Sequence, residues 1–204
     1  MRTKWKERGQ SLVELALILP ILLLIVIAMV EVGYAMRNYL LVMSANREGV
    51  RFASRGRFTD DAIAQRVVTA GGVAQVAGEA VPFLRTVGDD TNTGIIITHL
   101  MVREDGTVTP TFYVSGTIAA GQPIASANSR VDLAAIATRN VSATIQINDM
   151  RQAAGYERLD SEIIILEVFY AHQTLWSYDI AIQGPYVMYT QSSMRVVSDS
   201  RERE

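Results

Sequence analysis

The feature that most constrains this chain is an unbroken apolar run at residues 15–30. None of its 16 residues is charged, and 12 of them are leucine, isoleucine or valine. In a helix built from this run, apolar side chains cover every face, so no side prefers water. At roughly 0.3 to 0.6 kcal/mol per residue, transfer of the run into a bilayer is favourable by on the order of 5 kcal/mol. The run therefore predicts a membrane segment rather than a buried core helix.

The flanks of this run set its depth and direction in the membrane. Sixteen residues of helix reach about 24 Å, whereas a hydrocarbon core is about 30 Å thick, so neighbouring residues must complete the span. Glu14 then lies near one edge and Glu31 near the other. The preceding flank has a net charge of +3, from Arg2, Lys4, Lys6 and Arg8 against Glu7. Because positive flanks stay in the cytoplasm, we predict a single pass through the cytoplasmic membrane, with the amino terminus inside and the carboxy-terminal domain outside.

The position of a small residue distinguishes this segment from a secretory signal peptide. A signal peptide is cut at a small-x-small site after its apolar stretch, and residues 30–34 offer a poor one. The small residue here is Gly9, ahead of the stretch. A cut after Gly9 would remove the basic leader, residues 1–9, and keep the apolar helix. Gln10 would become the new amino terminus, four residues before Glu14.

Two sequence motifs carry a family resemblance. The sequence GQSLVELALILP at residues 9–20 resembles the processing site of type IV pilin-like proteins and, with its proline, the TadE-like pseudopilins of the tight-adherence (Flp, type IVb) pilus system. The sequence SANREGVRFA at residues 44–53 is similar to that family's Ala-x-Arg-Glu-Gly-x-Arg segment. Residues 163–170 and 193–195 are similar, less specifically, to its last two strands. The related TadG-like proteins generally lack a carboxylate at the position of Glu14. Major Flp pilins are much shorter and carry tyrosine where Leu15 stands, so the resemblance favours a minor pseudopilin.

The resemblance implies a role for four residues. Prepilin peptidase would cut between Gly9 and Gln10, Glu14 would be the assembly carboxylate, and Pro20 would kink the helix. An ammonium and a carboxylate are each costly in a membrane, and the cost falls when they pair. Pairing of Gln10 with Glu14 within one helix and pairing between subunits both remain open. The implied partners are prepilin peptidase, other pilins and pseudopilins, the inner-membrane pilus assembly platform and the lipid bilayer, and the protein would enter a cell-surface pilus for adhesion or serve the related secretion machinery.

The rest of the chain predicts an α+β fold in which a long amino-terminal transmembrane and stalk helix precedes a small antiparallel sheet domain with packed helices. The transmembrane and stalk segment spans 10–57. If its helix is unbroken from Ser11 to Ser54, it has 44 residues and a length of about 66 Å. Gly56 is expected to terminate it. A helical segment follows at 58–87, capped by Thr59 or Asp60 and interrupted by two glycines. A turn-rich linker at 88–94 then begins a β-rich domain, residues 88–200, and 201–204 form a frayed tail.

The β-rich half is predicted to hold four or five antiparallel strands. Strands at 95–102 and 107–115 flank an Asp-Gly hairpin signal at Asp105 and Gly106. Residues 116–129 read as a loop, 131–138 as a short helix, and 141–147 as a strand because apolar and polar residues alternate there. The last strands are expected at 162–170 and 186–197. Aromatic rings are expected to fill the core and rim of the sheet, namely Phe169, Tyr170, Trp176, Tyr178, Tyr186 and Tyr189.

The sequence offers no constellation for catalysis. His99 and His172 lie in different predicted strands, cysteine is absent and no metal-binding spacing occurs, so we expect no metal, no cofactor and no enzymatic activity. Removing the +3 leader from a net charge of −2 leaves −5, which argues against nucleic-acid binding. The alternative to a pseudopilin is an uncleaved single-pass membrane scaffold or sensor of a pilus or secretion apparatus. A membrane-anchored enzyme is the third class.

Overall fold

The computed structural model describes residues 4–56, 58–76, 78–119, 122–175 and 186–196, without the side chains of 4–10, 76 and 119. Contacts divide the chain into two units. One comprises Met1–Asn38 and Thr174–Gln183, and the other comprises Tyr39–Gln173 and Gly184–Glu204. The predicted tail at 201–204, and Trp176 and Tyr178 of the aromatic set, lie outside the described residues.

The first element is one continuous helix, α1 (Lys4–Ala53), of 50 residues. The long helix is confirmed, and it begins seven residues earlier than the Ser11 start used in the sequence analysis, since the leader contains no helix breaker before Gly9. It also ends without the expected glycine cap. Gly56 does not have a positive φ; the helix closes instead with a tightened turn, in which the Arg55 amide donates to the Phe52 carbonyl at 3.2 Å. Pro20 lies inside the continuous helix.

A short helix and a hairpin follow α1. Helix α2 (Asp60–Ala70) is capped by Thr59, whose hydroxyl accepts from the Ala62 amide at 3.3 Å. The chain then forms an antiparallel pair, β1 (Val73–Val76) and β2 (Glu79–Pro82). The prediction of a helical segment over 58–87 is therefore wrong beyond Gly72. Gly72 and Gly78 adopt φ values of 76° and 86°, which glycine tolerates best. Gly72 follows the end of the helix, and Gly78 lies in the hairpin turn between Val76 and Glu79.

The main sheet has five antiparallel strands in the order β5-β4-β3-β6-β7. The strands are β3 (Thr93–Val102), β4 (Val108–Ala119), β5 (Gln122–Pro123), β6 (Ser161–His172) and β7 (Tyr186–Val196). This confirms the α+β fold and the Asp-Gly hairpin, where Gly106 has a φ of 84°. The predicted loop at 116–129 is partly wrong, because it contains the end of β4, the short β5 and a 3-10 turn at Ser126–Asn128.

The third helix replaces two predicted elements. Helix α3 (Leu133–Ala153) covers both the predicted short helix and the predicted strand at 141–147, so that strand is wrong. Asp132 caps the helix by accepting from the Ala135 amide at 2.9 Å. In a helix Val141 follows Ala137 by one turn, and both pack on the same sheet face with Ile136. This packing, rather than the local alternation, selects the helical conformation.

The expected linker at 88–94 is a structured turn. The Asn92 side chain accepts from the Arg85 amide at 2.8 Å and donates to the Phe83 carbonyl at 3.0 Å. Residues on both sides of it belong to the same unit, Tyr39–Gln173. The turn therefore does not separate a helical half from a β-rich half.

The sheet is covered on both faces within the second unit. Side chains alternate between faces along each strand, so neighbouring isoleucines of β3 serve different cores. Ile95 and Ile97 face the core formed with Val42 and Val50 of α1 and with α2. The opposite face meets α3 at one end and Ile124 at the other. Of the aromatic set, Phe169 and Tyr170 are buried on opposite faces, whereas Tyr186 is exposed.

Candidate membrane and assembly segment

The apolar segment lies on α1 and is exposed around its whole circumference. Every residue from 11 to 30 is exposed except Ile27, which is half-buried. Among the described residues, Ser11–Ala53 is the one helix long and apolar enough to cross a membrane. Because large apolar side chains in water are costly, a surface of this kind is typical of a helix that meets lipid or other helices.

The four residues singled out by the sequence all lie on this helix. Gly9 and Gln10 fall inside α1, so the predicted cleavage point is in a helical stretch. Glu14 is one turn further along and is exposed. Pro20 lies within the apolar run, and helix continues on both sides of it. The chain brings Gln10 and Glu14 together only through their helical spacing, and the kink at Pro20 and the pairing of the new amine stay predictions.

Glu31 marks the other end of the apolar run and has a defined partner. Its carboxylate oxygens accept from the backbone amide of Leu175 at 3.1 and 3.3 Å. Both residues belong to the same unit of the chain. The apolar run predicts Glu31 at a membrane edge but does not predict this contact, since nothing local links two residues so far apart.

The motif at residues 44–53 packs α1 against the rest of its unit. Ala45, Val50 and Ala53 are buried in the core. The Asn46 amide donates to the Thr190 hydroxyl of β7 at 2.9 Å. Glu48 accepts from Arg66 of α2 at 2.6 Å, an ion pair whose partners are both partly exposed. The motif therefore combines apolar, amide and charged contacts on one segment of helix.

Gly49 allows α1 to approach its neighbours closely. A Cβ atom at this position would overlap Val67 of α2 and would lie 2.7 Å from Leu166 of β6. The glycine is thus required by side-chain packing rather than by a special backbone angle. The resemblance at residues 44–53 marked this glycine, but its contact partners could be known only from the fold.

A second polar cluster surrounds His99. Its two ring nitrogens lie 2.7 Å from Asp60 of α2 and 2.7 Å from Glu162 of β6. The hydrogen bond to Glu162, with that to Asp60, raises the pKa of His99 although partial burial opposes the shift. The imidazole ring of His99, a residue of β3, thus links three elements. Arg103 lines the cleft beside it.

A buried carboxylate holds the segment before α3 on the sheet. Glu167 is fully buried and accepts from the Ser129 hydroxyl at 2.6 Å, the Arg130 amide at 2.9 Å and the Tyr189 hydroxyl at 2.8 Å. Burial and the neighbouring carboxylate raise the pKa of Tyr189, so its hydroxyl stays a donor. The Arg130 guanidinium lies 5.2 Å from the Tyr189 ring centre. Sequence reasoning missed this cluster; a lone charge inside the apolar run of β6 was its signal.

The described residues contain no group of three or more histidine, cysteine, aspartate or glutamate side chains placed to hold a metal ion. The polar clusters at His99 and Glu167 are accounted for by hydrogen bonds within the domain. What the described geometry presents is therefore an exposed apolar helix joined to a well-packed domain.

Comparison with known proteins bears on the amino-terminal segment. The family model described as TadE-like protein matches residues 9–51, from the predicted cleavage glycine through most of the second motif. No curated protein and no solved structure matches the chain. The family is that of proteins associated with the tight-adherence pilus, anchored by an apolar amino-terminal helix. Residues 9–51 of this chain are therefore similar to the TadE-like family.

Proposed function

We propose that this protein is a minor pseudopilin for assembly of the tight-adherence (Flp, type IVb) pilus. The observation that carries the proposal is the extent of the family match, residues 9–51. That segment begins at the glycine where the leader would be cut, includes Glu14 and the whole exposed apolar run, and ends in the motif that packs α1 onto the domain. It therefore holds the parts that a pilin-like protein needs for processing, anchoring and assembly.

The anchoring step follows from the surface of α1. With all faces of residues 11–26 exposed, the helix is stable in a bilayer before assembly and against neighbouring pilin helices afterwards. The basic leader holds the amino terminus in the cytoplasm, so the domain that follows stands outside the cytoplasmic membrane. The first partner is accordingly the lipid bilayer. The inner-membrane assembly platform then transfers the protein to its later partners, the other pilins and pseudopilins.

The processing step acts on a helical stretch. Prepilin peptidase would cut between Gly9 and Gln10, which both lie inside α1. Glycine destabilises a helix interior by about 1 kcal/mol relative to alanine, so Gly9 makes the helix easier to open at the bond to be cut. Removal of residues 1–9 takes away a net charge of +3 and creates an α-amine on Gln10.

The assembly step depends on Glu14. Its carboxylate stands four residues, about 6 Å of helix rise, from the new amine of its own chain. At about 4 Å and an effective dielectric constant near 20, an amine and a carboxylate attract by about 4 kcal/mol before desolvation is subtracted. The same pair formed between two subunits would set the axial register of adjacent helices. In this mechanism the protein is a substrate of the peptidase and catalyses no reaction itself.

The first experiment determines the amino terminus of the protein isolated from its native host. A start at Gln10 is expected, and it should revert to Met1 when Gly9→Leu blocks the cut. Gly33→Leu is the matched control, since this helical glycine has no neighbouring atom within 4 Å of its Cβ position. A start at Met1 in the unmodified protein, with an active prepilin peptidase present, would overturn the pseudopilin proposal and favour the uncleaved scaffold or sensor.

The second experiment separates assembly from insertion. Glu14→Gln keeps the side-chain shape and removes the charge, so the variant should fractionate with membranes at normal abundance and yield few or no pili. Glu79→Gln, a change of an exposed carboxylate in β2, is the control and should leave piliation unchanged. Normal pilus numbers with Glu14→Gln would refute an assembly role for this carboxylate.

A further inference from the structure

The contact between Glu31 and Leu175 connects a distant part of the chain to the end of the apolar run. Glu31 is the first charged residue after residues 15–30. Its two carboxylate oxygens accept from the same backbone amide, that of Leu175, which lies between β6 and β7 and 144 residues further along the chain. The backbone at Leu175 is therefore held beside α1 at the level where the apolar run ends.

This pairing is suited to the edge of a membrane. A carboxylate is costly near hydrocarbon, and a backbone amide there also needs an acceptor. Each group supplies what the other lacks, and a hydrogen bond to a charged acceptor is stronger than one between neutral groups. In water both groups would be solvated without each other, so the contact gains most where water is scarce.

The side chain at this point is apolar and accessible. Leu175 is 49 % exposed although its backbone is engaged by Glu31. The sequence that follows it contains Trp176 and Tyr178, which lie outside the described residues. Tryptophan and tyrosine are the side chains most enriched where a membrane meets water. The sequence after Leu175 thus has the composition of an interfacial contact.

We propose that Leu175 makes a second contact with the membrane, with its side chain in the headgroup region at the outer surface of the bilayer, and that Glu31 holds it there. The partner is a lipid surface rather than another protein. The inference rests on the membrane insertion of α1 in the proposed function. It adds a contact that fixes the rotation of the helix relative to the bilayer, which an evenly apolar helix does not fix by itself.

The absence of cysteine in the chain allows a direct test. The full-length protein carrying Leu175→Cys is labelled with an environment-sensitive fluorophore and reconstituted into vesicles of phosphatidylethanolamine and phosphatidylglycerol. The substitution keeps the backbone amide that donates to Glu31. Two further single-cysteine variants serve as references: Leu22→Cys in the apolar run, and Val87→Cys, an apolar residue of the domain that is 83 % exposed.

We expect the probe at position 175 to be quenched by lipids labelled near the headgroup and to be several-fold less sensitive to aqueous iodide than the probe at 87. Equal iodide sensitivity at 175 and 87, with the probe at 22 protected, would overturn this inference and leave the anchor intact. Protection at 175 from both quenchers would place Leu175 against protein and also overturn it. Iodide quenching at 22 would refute membrane insertion, and with it both proposals.

The role of Glu31 has its own variant. Glu31→Ala in the Leu175→Cys background removes the acceptor and should raise iodide quenching at 175 toward the value at 87. Glu79→Ala is the matched control for loss of an exposed carboxylate and should change nothing. If Glu31→Ala leaves the probe in the headgroup region, Glu31 does not hold Leu175 there, and that part of the inference is wrong.

Discussion

The side-chain amide of Asn46 donates to the hydroxyl of Thr190 at 2.9 Å, joining α1 to β7 across 144 residues of the chain. Both side chains are buried, with 0 % and 6 % of their surface exposed. Asn46 lies inside the segment at 44–53 that resembles the TadE-like family, whereas Thr190 lies outside it. Their bond shows how a motif on a mostly exposed helix can be needed for the packing of a sheet.

Replacing Asn46 should destabilise the domain. Asn46→Ala removes the donor and leaves a buried hydroxyl without it, so we expect a loss of about 1 to 2 kcal/mol in the free energy of unfolding. Denaturant titration of the full-length protein in mild detergent measures the loss. Ser44→Ala, an exposed position on the same helix, is the control. Thr190→Val completes a double-mutant cycle, and a coupling energy near zero would show that the bond contributes nothing.

The close approach of α1 to its neighbours at Gly49 predicts a loss of stability at least as large as that of Asn46→Ala, although the substitution changes fewer atoms. Gly49→Ala introduces a methyl group that overlaps Val67 and Leu166, so we expect destabilisation of about 1 to 3 kcal/mol despite the better helix propensity of alanine. Gly33→Ala makes the same change where nothing lies within 4 Å and should be neutral or stabilising. Equal stability of the two variants would mean that the packing at Gly49 can relax without cost.

The cluster at His99 predicts a pH dependence with a defined sign. The folded-state pKa of His99 is raised, mainly by its hydrogen bond to Glu162, above the unfolded value of about 6.5. The stabilisation is fully present below the unfolded pKa and is lost as the pH rises through the folded pKa. The free energy of unfolding should therefore fall as the pH rises from about 6.5 upward, which denaturant titrations across this range would measure.

The variant His99→Gln isolates this contribution. Glutamine keeps hydrogen-bonding capacity beside Asp60 and Glu162 but cannot take up a proton, so the dependence of stability on pH should flatten in the window above the unfolded pKa. An unaltered slope in His99→Gln would assign the pH dependence to other groups.

The contacts of the buried Glu167 carboxylate predict a larger loss of stability when its charge is removed than when one of its hydrogen bonds is removed. Glu167→Gln removes the charge that three donors share, so it should destabilise the protein by about 2 to 3 kcal/mol. Tyr189→Phe removes one of the three hydrogen bonds and should cost about 1 kcal/mol. Stability in denaturant provides both values. If Tyr189→Phe proves as damaging as Glu167→Gln, the hydroxyl of Tyr189 rather than the charge of Glu167 makes the larger contribution to the cluster.

Agreement between the sequence and the fold is greatest where a single local property determines the structure. The run at 15–30 is apolar on every face, so a helix is specified without any partner. The Asp105–Gly106 step acts through its own backbone neighbours, and the hairpin is confirmed there. Of the two caps predicted for α2, Thr59 and Asp60, the structure has Thr59. The segment at 141–147 failed because its alternation suits a strand, while its helical conformation depends on packing against β3 and β6.

The tertiary contacts of the polar side chains pair residues that are far apart in the chain. Local pattern indicates a membrane helix, a family motif and a sheet, because periodicity, caps and turns act over a few residues. The contacts of Glu31 with Leu175, Asn46 with Thr190, and His99 with Asp60 and Glu162 depend on which strands adjoin and in which register. Strand order and register arise from the packing of whole elements into shared cores, and no short stretch of sequence contains that information.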